Sequence, residues 1–311
     1  MRIAFFNTLF EAAKKDSRII LLTGDLGYSV FEPLAAALPR QFLNMGVAEQ
    51  NMAGVAAGLA MEGYIPVVYS IVPFVVMRNF EQIRNDICYQ NLNVKIVGVG
   101  AGFSYAAYGR THHGLEDIGI LRTMPNLTIF APGDPVEVTW VTQAALVHRG
   151  PVYIRLGKAG EPVVHINPPR FQIGHGIVVY EGKDATLFAT STMLARGLEV
   201  VGELAKQNIR IRLVSMHTIR PLDHRIIIES AKKTQALFTL EEHSIIGGLG
   251  SAVAEVVAET GLRVLFKRIG ASDHFTRVMG RQEFMRRANG LTVRQIIGTI
   301  QTTLKARHPL T

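Results

Sequence analysis

The sequence is poor in cysteine, since Cys88 is the only one in 311 residues. An internal disulfide is therefore excluded, and a reducing, cytoplasmic environment is expected. No apolar run reaches the roughly 18 residues that a membrane-spanning helix needs, so we expect a soluble protein without a membrane partner. Residues 2–16 lack the long apolar core of a signal peptide, and we interpret them as a helix of the fold.

Several widespread functional signatures are also missing. The chain contains no GxxxxGK[ST] phosphate loop, no GxGxxG between a first strand and helix, no HExxH and no GxSxG. These absences exclude the usual P-loop, dinucleotide, zinc-protease and serine-hydrolase sites. The formal net charge is +8, but the basic residues are scattered. Nucleic-acid binding is not expected, and an acidic partner subunit or an anionic substrate explains the charge more simply.

The chain does contain a regular alternation of strand-like and helix-like segments. RIILLTGD is typical of a buried parallel strand, and EQNMAGVAAGLAMEG of a helix that a glycine ends. This alternation predicts an α/β fold: a parallel sheet with helices on both faces, followed by a second, smaller α/β domain. A stretch rich in glycine and proline separates the two. We place the first domain at residues 1–160, the linker at 161–176 and the second domain at 177–311.

Glu49 is the one carboxylate in the stretch FLNMGVAEQNMAGVAAGLAM, residues 42–61. An ionised carboxylate among small apolar residues carries a large desolvation cost unless it is paired or protonated. Two interpretations are open. Either Glu49 is a surface carboxylate at the start of a helix, or its apolar setting raises its pKa for a functional purpose.

The segment GRTHHGLEDIG, residues 109–119, is the densest cluster of titratable side chains. Its acidic pair, Glu116 and Asp117, is explained by the preference of carboxylates for helix N-termini. His112 and His113 follow a strand and a glycine-rich loop, where ligand sites of open α/β sheets lie. A shared metal is not expected, because adjacent histidines in an extended loop point in opposite directions. The residues alone leave a catalytic and a structural histidine equally open.

Longer stretches of the chain resemble one known family. LNMGVAEQNMAGVAAGLAMEGYIPVVYS, GRTHHGLEDIGILRTMPNLTIFAPGDPVE and GPVYIRLGK resemble the pyrimidine-binding domain of transketolases. IRPLD and EEHSIIGGLG are similar to the C-terminal domain of the same family. The resemblance covers nearly the whole chain in order. It implies a pyrimidine-binding thiamine-diphosphate fold followed by a transketolase C-terminal domain.

The resemblance also implies a cofactor and a partner. Transketolases use thiamine diphosphate with Mg²⁺, and they hold the diphosphate and the metal through a GDG motif and a later asparagine. Here TGDLG at residues 23–27 breaks that motif, and no other candidate occurs. The chain therefore resembles the second, C-terminal-type subunit of a split transketolase. An N-terminal-type partner subunit is expected to hold the diphosphate and Mg²⁺, with the active site at the interface.

The same resemblance suggests roles for individual residues. Glu49 of the EQ motif, with Gln50 beside it, matches the position that contacts the cofactor's aminopyrimidine, and Phe74 matches the stacking aromatic. His112 matches the histidine that lines the substrate channel and contacts the reacting oxygens, and His113 replaces a family glutamine. We therefore expect Glu49 and His112 to be catalytic and no residue of this chain to bind a metal. The further substrate-binding positions implied are Arg2, Ser29 and Arg155.

Two departures from the family pattern bear on the substrate. Gly100 stands where transketolases have a phosphate-contacting histidine, and Tyr108 stands where they have an aspartate that recognises a donor hydroxyl. We expect Arg110 to compensate as an anion contact, or the donor to be a modified sugar or another anionic compound. The family's preference for ordinary sugar phosphates does not follow from this sequence.

The expected function is the transfer of a two-carbon ketol unit from a phosphorylated or otherwise anionic ketose to an aldose. The alternatives are the β subunit of a 2-oxoacid dehydrogenase and a non-catalytic regulatory subunit with the same fold. A deoxyxylulose-phosphate synthase is disfavoured, because that enzyme carries all its domains on one chain.

The small residues Ala53, Gly54, Ala57 and Gly58 permit close helix packing. They predict a subunit interface in a dimer of heterodimers.

Overall fold

Twelve strands form two sheets in the computed structural model, which describes residues 1–167 and 171–306. The strands are β1 (Ile19–Thr23), β2 (Phe42–Asn44), β3 (Ile65–Ile71), β4 (Lys95–Val99), β5 (Thr128–Phe130), β6 (Val152–Leu156), β7 (Ile177–Tyr180), β8 (Ala185–Ala189), β9 (Ile211–Ser215), β10 (Thr218–Arg220), β11 (Ala236–Ser244) and β12 (Leu265–Ala271). The sheet orders are β10-β5-β6-β4-β3-β1-β2 and β12-β11-β8-β9-β7. β10 and β7 pair antiparallel with their neighbours, and the other pairings in the described ranges are parallel.

Helices cover both faces of the first sheet. The helices are α1 (Arg2–Ala13), α2 (Glu32–Ala37), α3 (Glu49–Met61), α4 (Val72–Val76), α5 (Phe80–Gln82), α6 (Asp117–Leu121), α7 (Pro135–Val147), α8 (Met193–Ala205), α9 (His224–Lys233), α10 (Leu249–Glu259), α11 (Gln282–Ala288) and α12 (Val293–Lys305). A core on one face takes its side chains from α1 and α7, and the core on the other face from α3 and α6. The predicted fold class is thus confirmed.

Local sequence signals fix several of these elements. The predicted helix of the EQ segment begins at Glu49 and ends two residues before Gly63, whose φ of +86° reverses the chain. α7 begins with a side-chain cap, because the Asp134 side chain accepts the Glu137 backbone N–H at 2.7 Å with Pro135 in the first turn. Such signals act within four residues, so the sequence displays them.

Long-range contacts join the two halves of the chain. β10, which follows the predicted linker, adds to the edge of the first sheet beside β5. The backbone N–H groups of Phe103 and Gly119 bond to the side chains of Glu242 and His243 in the second half. The segment between β4 and α6 and the start of α6 are therefore held in part by hydrogen bonds to the second domain. Residues 168–170 of the predicted linker and 307–311 of the predicted second domain lie outside the described residues.

No helix within residues 1–167 and 171–306 combines the length and the apolar character needed to cross a membrane.

Candidate active site

The predicted cofactor-binding residues lie at one edge of the first sheet. α3, which begins at Glu49, follows β2, while α4, which carries Phe74, follows β3. The loop containing His112 follows β4. Because parallel strands end at the same edge, these connections bring the side chains together where α/β sheets bind ligands.

Glu49 is buried and paired. It is 1% exposed. The Ser70 hydroxyl donates to Oε1 at 2.8 Å, and Nη1 of Arg78 donates to Oε2 at 2.6 Å. A Cβ added to Gly24 would lie 3.2 Å from Oε1, so the residue after β1 leaves room for the carboxylate. Glu49 is thus both a helix-start residue and a buried acid, and its desolvation is offset by a hydroxyl and a guanidinium.

Arg78 belongs to this site although sequence reasoning missed it. Its guanidinium lies over the Phe74 ring, with Cζ 4.5 Å from the ring centroid, while it bonds to Glu49. Its spacing of four residues from Phe74 is the one local signal that could have pointed to it. That spacing is common in helical segments and says nothing about a carboxylate 29 residues earlier.

His112 contacts the same ring. The His112 and Phe74 ring centroids are 5.1 Å apart with an interplanar angle of 72°, an edge-on contact. The Tyr108 ring lies 5.4 Å from His112 on centroids. The structure therefore brings Glu49, Phe74 and His112 into one cluster, and Tyr108, which replaces the family aspartate, borders it.

Other predicted residues lie apart from this cluster or at its rim. Gln50 is exposed on the first turn of α3. Ser29 is exposed with a φ of +63°, and its backbone N–H donates to Glu32 at 2.7 Å. Among the residues described, neither side chain forms a hydrogen bond with the side chain of Glu49 or His112.

Arg155 requires a correction. We expected it to bind substrate, but its side chain is 0% exposed. Nε donates to Asp117 at 2.8 Å, and the other guanidinium nitrogens bond to Ser191 and to the backbone oxygens of Gly114 and Glu242. Arg155 lies inside β6, and a guanidinium bonded on all sides within the protein is not available to a substrate. We do not retain the substrate assignment.

Lys158 is the cation of the same motif that does reach solvent. β6 ends at Leu156, so Lys158 lies two residues beyond the sheet. It is exposed, and its Nζ lies 4.9 Å from the centroid of the Tyr105 ring. The end of the apolar run PVYIRL could have indicated that the exposed cation of the motif follows the strand, whereas the cation within the run is buried.

The positive charge of Arg2 affects the same tyrosine, Tyr105. Burial raises the pKa of Tyr105, and the nearby positive charge of Arg2 opposes that shift. Arg2 Nε and the Tyr69 hydroxyl are buried polar atoms without a hydrogen-bond partner among the described residues. Tyr105 occupies the space beside Gly100, because a Cβ added at position 100 would clash with its ring. Arg2, Lys158 and the two tyrosines thus form a polar group with unused donors, which we call the cationic wall.

His113 and Arg110 face a different space from His112. They line a cavity of about 370 Å³ together with residues of the second domain, including Ser244 and Asn289. Burial lowers the pKa of His113, which is 5% exposed. Its ring contacts Phe103, with centroids 5.2 Å apart. The two neighbouring histidines therefore point to opposite sides, and only His112 of the pair reaches the Glu49 cluster.

One further group of titratable side chains could in principle hold an ion. Asp134, Glu137 and His165 present ligand atoms within 4.8 Å of one another. However, Asp134 accepts three backbone N–H groups. Glu137 accepts a backbone N–H, the His165 ring and the Ser215 hydroxyl. These donors already occupy the oxygens, and we assign no metal to the group.

Comparison with known proteins places this arrangement in a class. The chain has two α/β parts, and the first is a mainly parallel sheet with helices on both faces, the architecture expected of the pyrimidine-binding type in thiamine-diphosphate enzymes. Residues 1–160 match the family "Transketolase, pyrimidine binding domain" and residues 174–296 match "Transketolase, C-terminal domain". The chain belongs to the transketolase family, and it is a transferase subunit of that thiamine-diphosphate-dependent family.

The similar proteins include subunits of transketolases. The chain is 38% identical, over 96% of its length and 92% of the relative, to the 6-deoxy-6-sulfo-D-fructose transketolase subunit SqwH of Clostridium sp. (strain MSTE9). It is 36% identical, over 85% of both chains, to an apulose-4-phosphate transketolase subunit of Actinobacillus succinogenes. A solved structure of a split gene transketolase, an inactive beta4 tetramer, is 40% identical over 97% of both chains, with a TM-score of 0.87. The predicted resemblance to split transketolases is confirmed.

Proposed function

We propose that this chain, together with a partner subunit that carries the diphosphate-binding domain, forms a split transketolase. It transfers a two-carbon ketol unit from an anionic ketose to an aldose. The observation that carries the proposal is the cluster of Glu49, Phe74 and His112 at the carboxyl edge of the first sheet. A purely structural subunit would not need a buried acid, an aromatic face and a half-buried histidine at one point.

The Glu49 cluster fits the aminopyrimidine end of thiamine diphosphate. The guanidinium of Arg78 is a stand-in: it is flat, presents N–H donors to Glu49 and covers the face of Phe74. A nitrogen-rich aromatic ring can make the same two contacts. Thiamine diphosphate, when bound, supplies the chemistry for breaking and forming the carbon–carbon bond. Glu49 would bind and orient its aminopyrimidine, Phe74 would stack on it, and Gln50 would lie beside it at the helix start.

His112 would act on the substrate. Its ring is held by Phe74 and Tyr108, and Nδ1 lies 3.0 Å from the Thr111 hydroxyl. The other ring nitrogen can then exchange a hydrogen bond or a proton with an oxygen of the substrate.

The cationic wall would hold the anionic end of the ketose. The positive charge of Arg2 lies near Tyr105, and the exposed Lys158 adds a second positive charge beside the same ring. The names of two relatives contain a sulfonated and a phosphorylated sugar, and both groups suit such a wall. We propose Arg2 and Lys158 as the main anion contacts, with Ser29 at the rim. Arg110 and His113 would border the substrate space from the domain cavity.

The partner would hold the diphosphate and Mg²⁺. In TGDLG, Asp25 is exposed and accepts bonds from Tyr28 and Asn44, so the remnant of the motif serves its own loop. We propose a dimer of heterodimers in the cytoplasm. Gly54 and Gly58 support a close interface, because an added Cβ at either position would meet no atom within 4 Å.

Assembly can be tested with a matched pair of glycine variants. Gly54→Leu should leave the isolated chain folded but reduce formation of the complex with the co-expressed partner, measured by light scattering. Gly202→Leu, at an equally open position on α8, should leave assembly unchanged. If light scattering of the wild type shows a one-to-one complex alone, the dimer of heterodimers is refuted.

The activity is tested with the reconstituted pair. Ketol transfer should depend on added thiamine diphosphate and Mg²⁺ and should be faster from fructose 6-phosphate or 6-deoxy-6-sulfofructose than from fructose. Turnover of pyruvate without ketol transfer would instead support the 2-oxoacid dehydrogenase alternative. No turnover of either class, with an intact complex, would support a regulatory subunit.

A further inference from the structure

Arg78 supports an inference that rests on the proposed function and goes beyond it. We propose that Arg78 is a placeholder. In the unassembled chain its guanidinium occupies the carboxylate and the aromatic face that the aminopyrimidine uses, and the cofactor must displace it to bind. Arg78 therefore sets the cofactor affinity of the assembled enzyme.

The guanidinium of Arg78 contacts both Glu49 and Phe74. Nη1 of Arg78 lies 2.6 Å from Oε2 of Glu49, and Cζ lies 4.5 Å from the centroid of Phe74. A guanidinium and an aminopyrimidine are both planar, carry N–H donors on an edge and offer a flat face to an aromatic ring. A carboxylate oxygen can accept two donors, but two flat groups cannot cover the same face of Phe74 together, so their binding is mutually exclusive.

The two partners differ in their freedom to move. Glu49 is 1% exposed and fixed at the start of α3, where Ser70 also holds it. The Arg78 side chain is 40% exposed and lies two residues after α4 ends at Val76. Arg78 can therefore move into water at small cost, whereas Glu49 cannot leave the interior. The ion pair opens by movement of the arginine.

The placeholder has a physical purpose in a split enzyme. A chain made before its partner binds exposes an incomplete site, and without Arg78 the buried carboxylate of Glu49 would keep a single hydroxyl donor. Leaving the buried carboxylate with fewer partners is destabilising, although the 40% exposure of Arg78 limits the size of the effect. Arg78 supplies the missing cation until the cofactor provides N–H donors of its own. The cost is a lower apparent affinity, because the competent state must first lose the ion pair.

Cofactor binding by the assembled complex tests the proposal. Thiamine diphosphate would be titrated calorimetrically, with Mg²⁺ in excess, into complexes containing wild type, Arg78→Met or Arg225→Met. Arg225 is a matched control, because it forms an exposed Arg–Glu pair with Glu229 at 2.8 Å on the second domain. We expect Arg78→Met to tighten binding about fivefold, as for loss of a partly exposed competing ion pair, and Arg225→Met to leave it unchanged. An unchanged or weaker affinity for Arg78→Met would overturn the placeholder.

Unfolding of the chain without its partner gives an independent test. Arg78→Met should lower the melting temperature, and adding Glu49→Gln should restore most of it, because the neutral amide no longer needs a cation. Equal melting temperatures for Arg78→Met and the double variant would refute the pairing. If Arg78→Met does not assemble with the partner, Arg78→Lys replaces it in the titration. Lysine keeps the charge without the planar face, so the cofactor affinity of Arg78→Lys should lie above that of wild type and below that expected for Arg78→Met. If the wild-type complex binds no thiamine diphosphate, the proposed function is refuted. The melting temperatures of wild type, Arg78→Met and the double variant would still show whether Arg78 and Glu49 form a stabilising ion pair.

Discussion

Replacement of Arg155 by methionine should unfold the protein more easily rather than weaken substrate binding. Arg155 and Asp117 are each 0% exposed and form an ion pair of 2.8 Å. Methionine fills a similar volume but removes every donor. Asp117 would then keep the Tyr153 hydroxyl at 2.6 Å as its remaining side-chain hydrogen-bond donor among the described residues, and the Glu242 carbonyl would lose a bond of 3.0 Å.

The magnitude follows from the loss of one partner of a buried pair. Such a change costs about 3–5 kcal/mol, because the remaining charge stays buried without its partner. The retained tyrosine bond offsets part of this cost, so we expect a loss of about 3 kcal/mol in the free energy of unfolding. For a chain of 311 residues that corresponds to a fall of roughly 5 °C in melting temperature.

Lys158→Met provides the contrasting variant for the assay. Lys158 is exposed, so its replacement should change the free energy of unfolding by less than about 0.5 kcal/mol. It should raise the KM of the reconstituted enzyme for an anionic ketose about tenfold, and less for a neutral one. Urea unfolding and steady-state kinetics would be measured on both variants. If Arg155→Met raises KM while leaving stability unchanged, the structural assignment of Arg155 is refuted.

Three further changes test other parts of the site. Glu49→Gln should lower turnover of the reconstituted pair at least about 100-fold at saturating cofactor, and unaffected turnover would exclude a catalytic role. Gly100→Ala should cost about 2 kcal/mol or more of stability, since φ is +92° and the added Cβ meets the Tyr105 ring; unchanged urea unfolding would contradict this. Burial disfavours charge on His165, but the hydrogen bond and charge of Glu137 outweigh it and raise the pKa of His165. His165→Gln should therefore destabilise by about 1–2 kcal/mol below about pH 6.5, and the deficit should shrink as the pH rises through the raised pKa; a deficit independent of pH would exclude the charged pair.

Much of the fold could be predicted because its signals are local. The continuous apolar run of β1 is buried along its whole length, as expected for a parallel strand covered on both faces. The cap at Asp134 and the stop at Gly63 depend on neighbours within a few residues. β10 was missed because three residues carry no periodicity. Its pairing with β5 joins Thr218 to Phe130, which are far apart in the sequence.

Some residues of the candidate site could likewise be placed from the sequence, and others could not. The positions of Glu49, Phe74 and His112 followed from strand ends and from the family pattern. Arg155 was misjudged because charge alone does not tell whether a side chain lies within a strand or beyond it. The bounds of β6 decide that Arg155 is interior and that Lys158 is exposed. The residues alone did not rank His112 above His113, but the family pattern did, and the opposite directions of the two side chains could be foreseen.

The setting of Glu49 shows why a sequence can locate a functional charge without explaining it. The small residues around it left a surface and a buried carboxylate both open, and the observed burial demands a compensating group. Both groups that compensate are distant, because Ser70 and Arg78 lie 21 and 29 residues further along the chain. Their approach depends on β3 ending at the same edge as the start of α3. The demand for a partner is therefore a local property of the sequence, whereas the identity of the partner is a property of the fold.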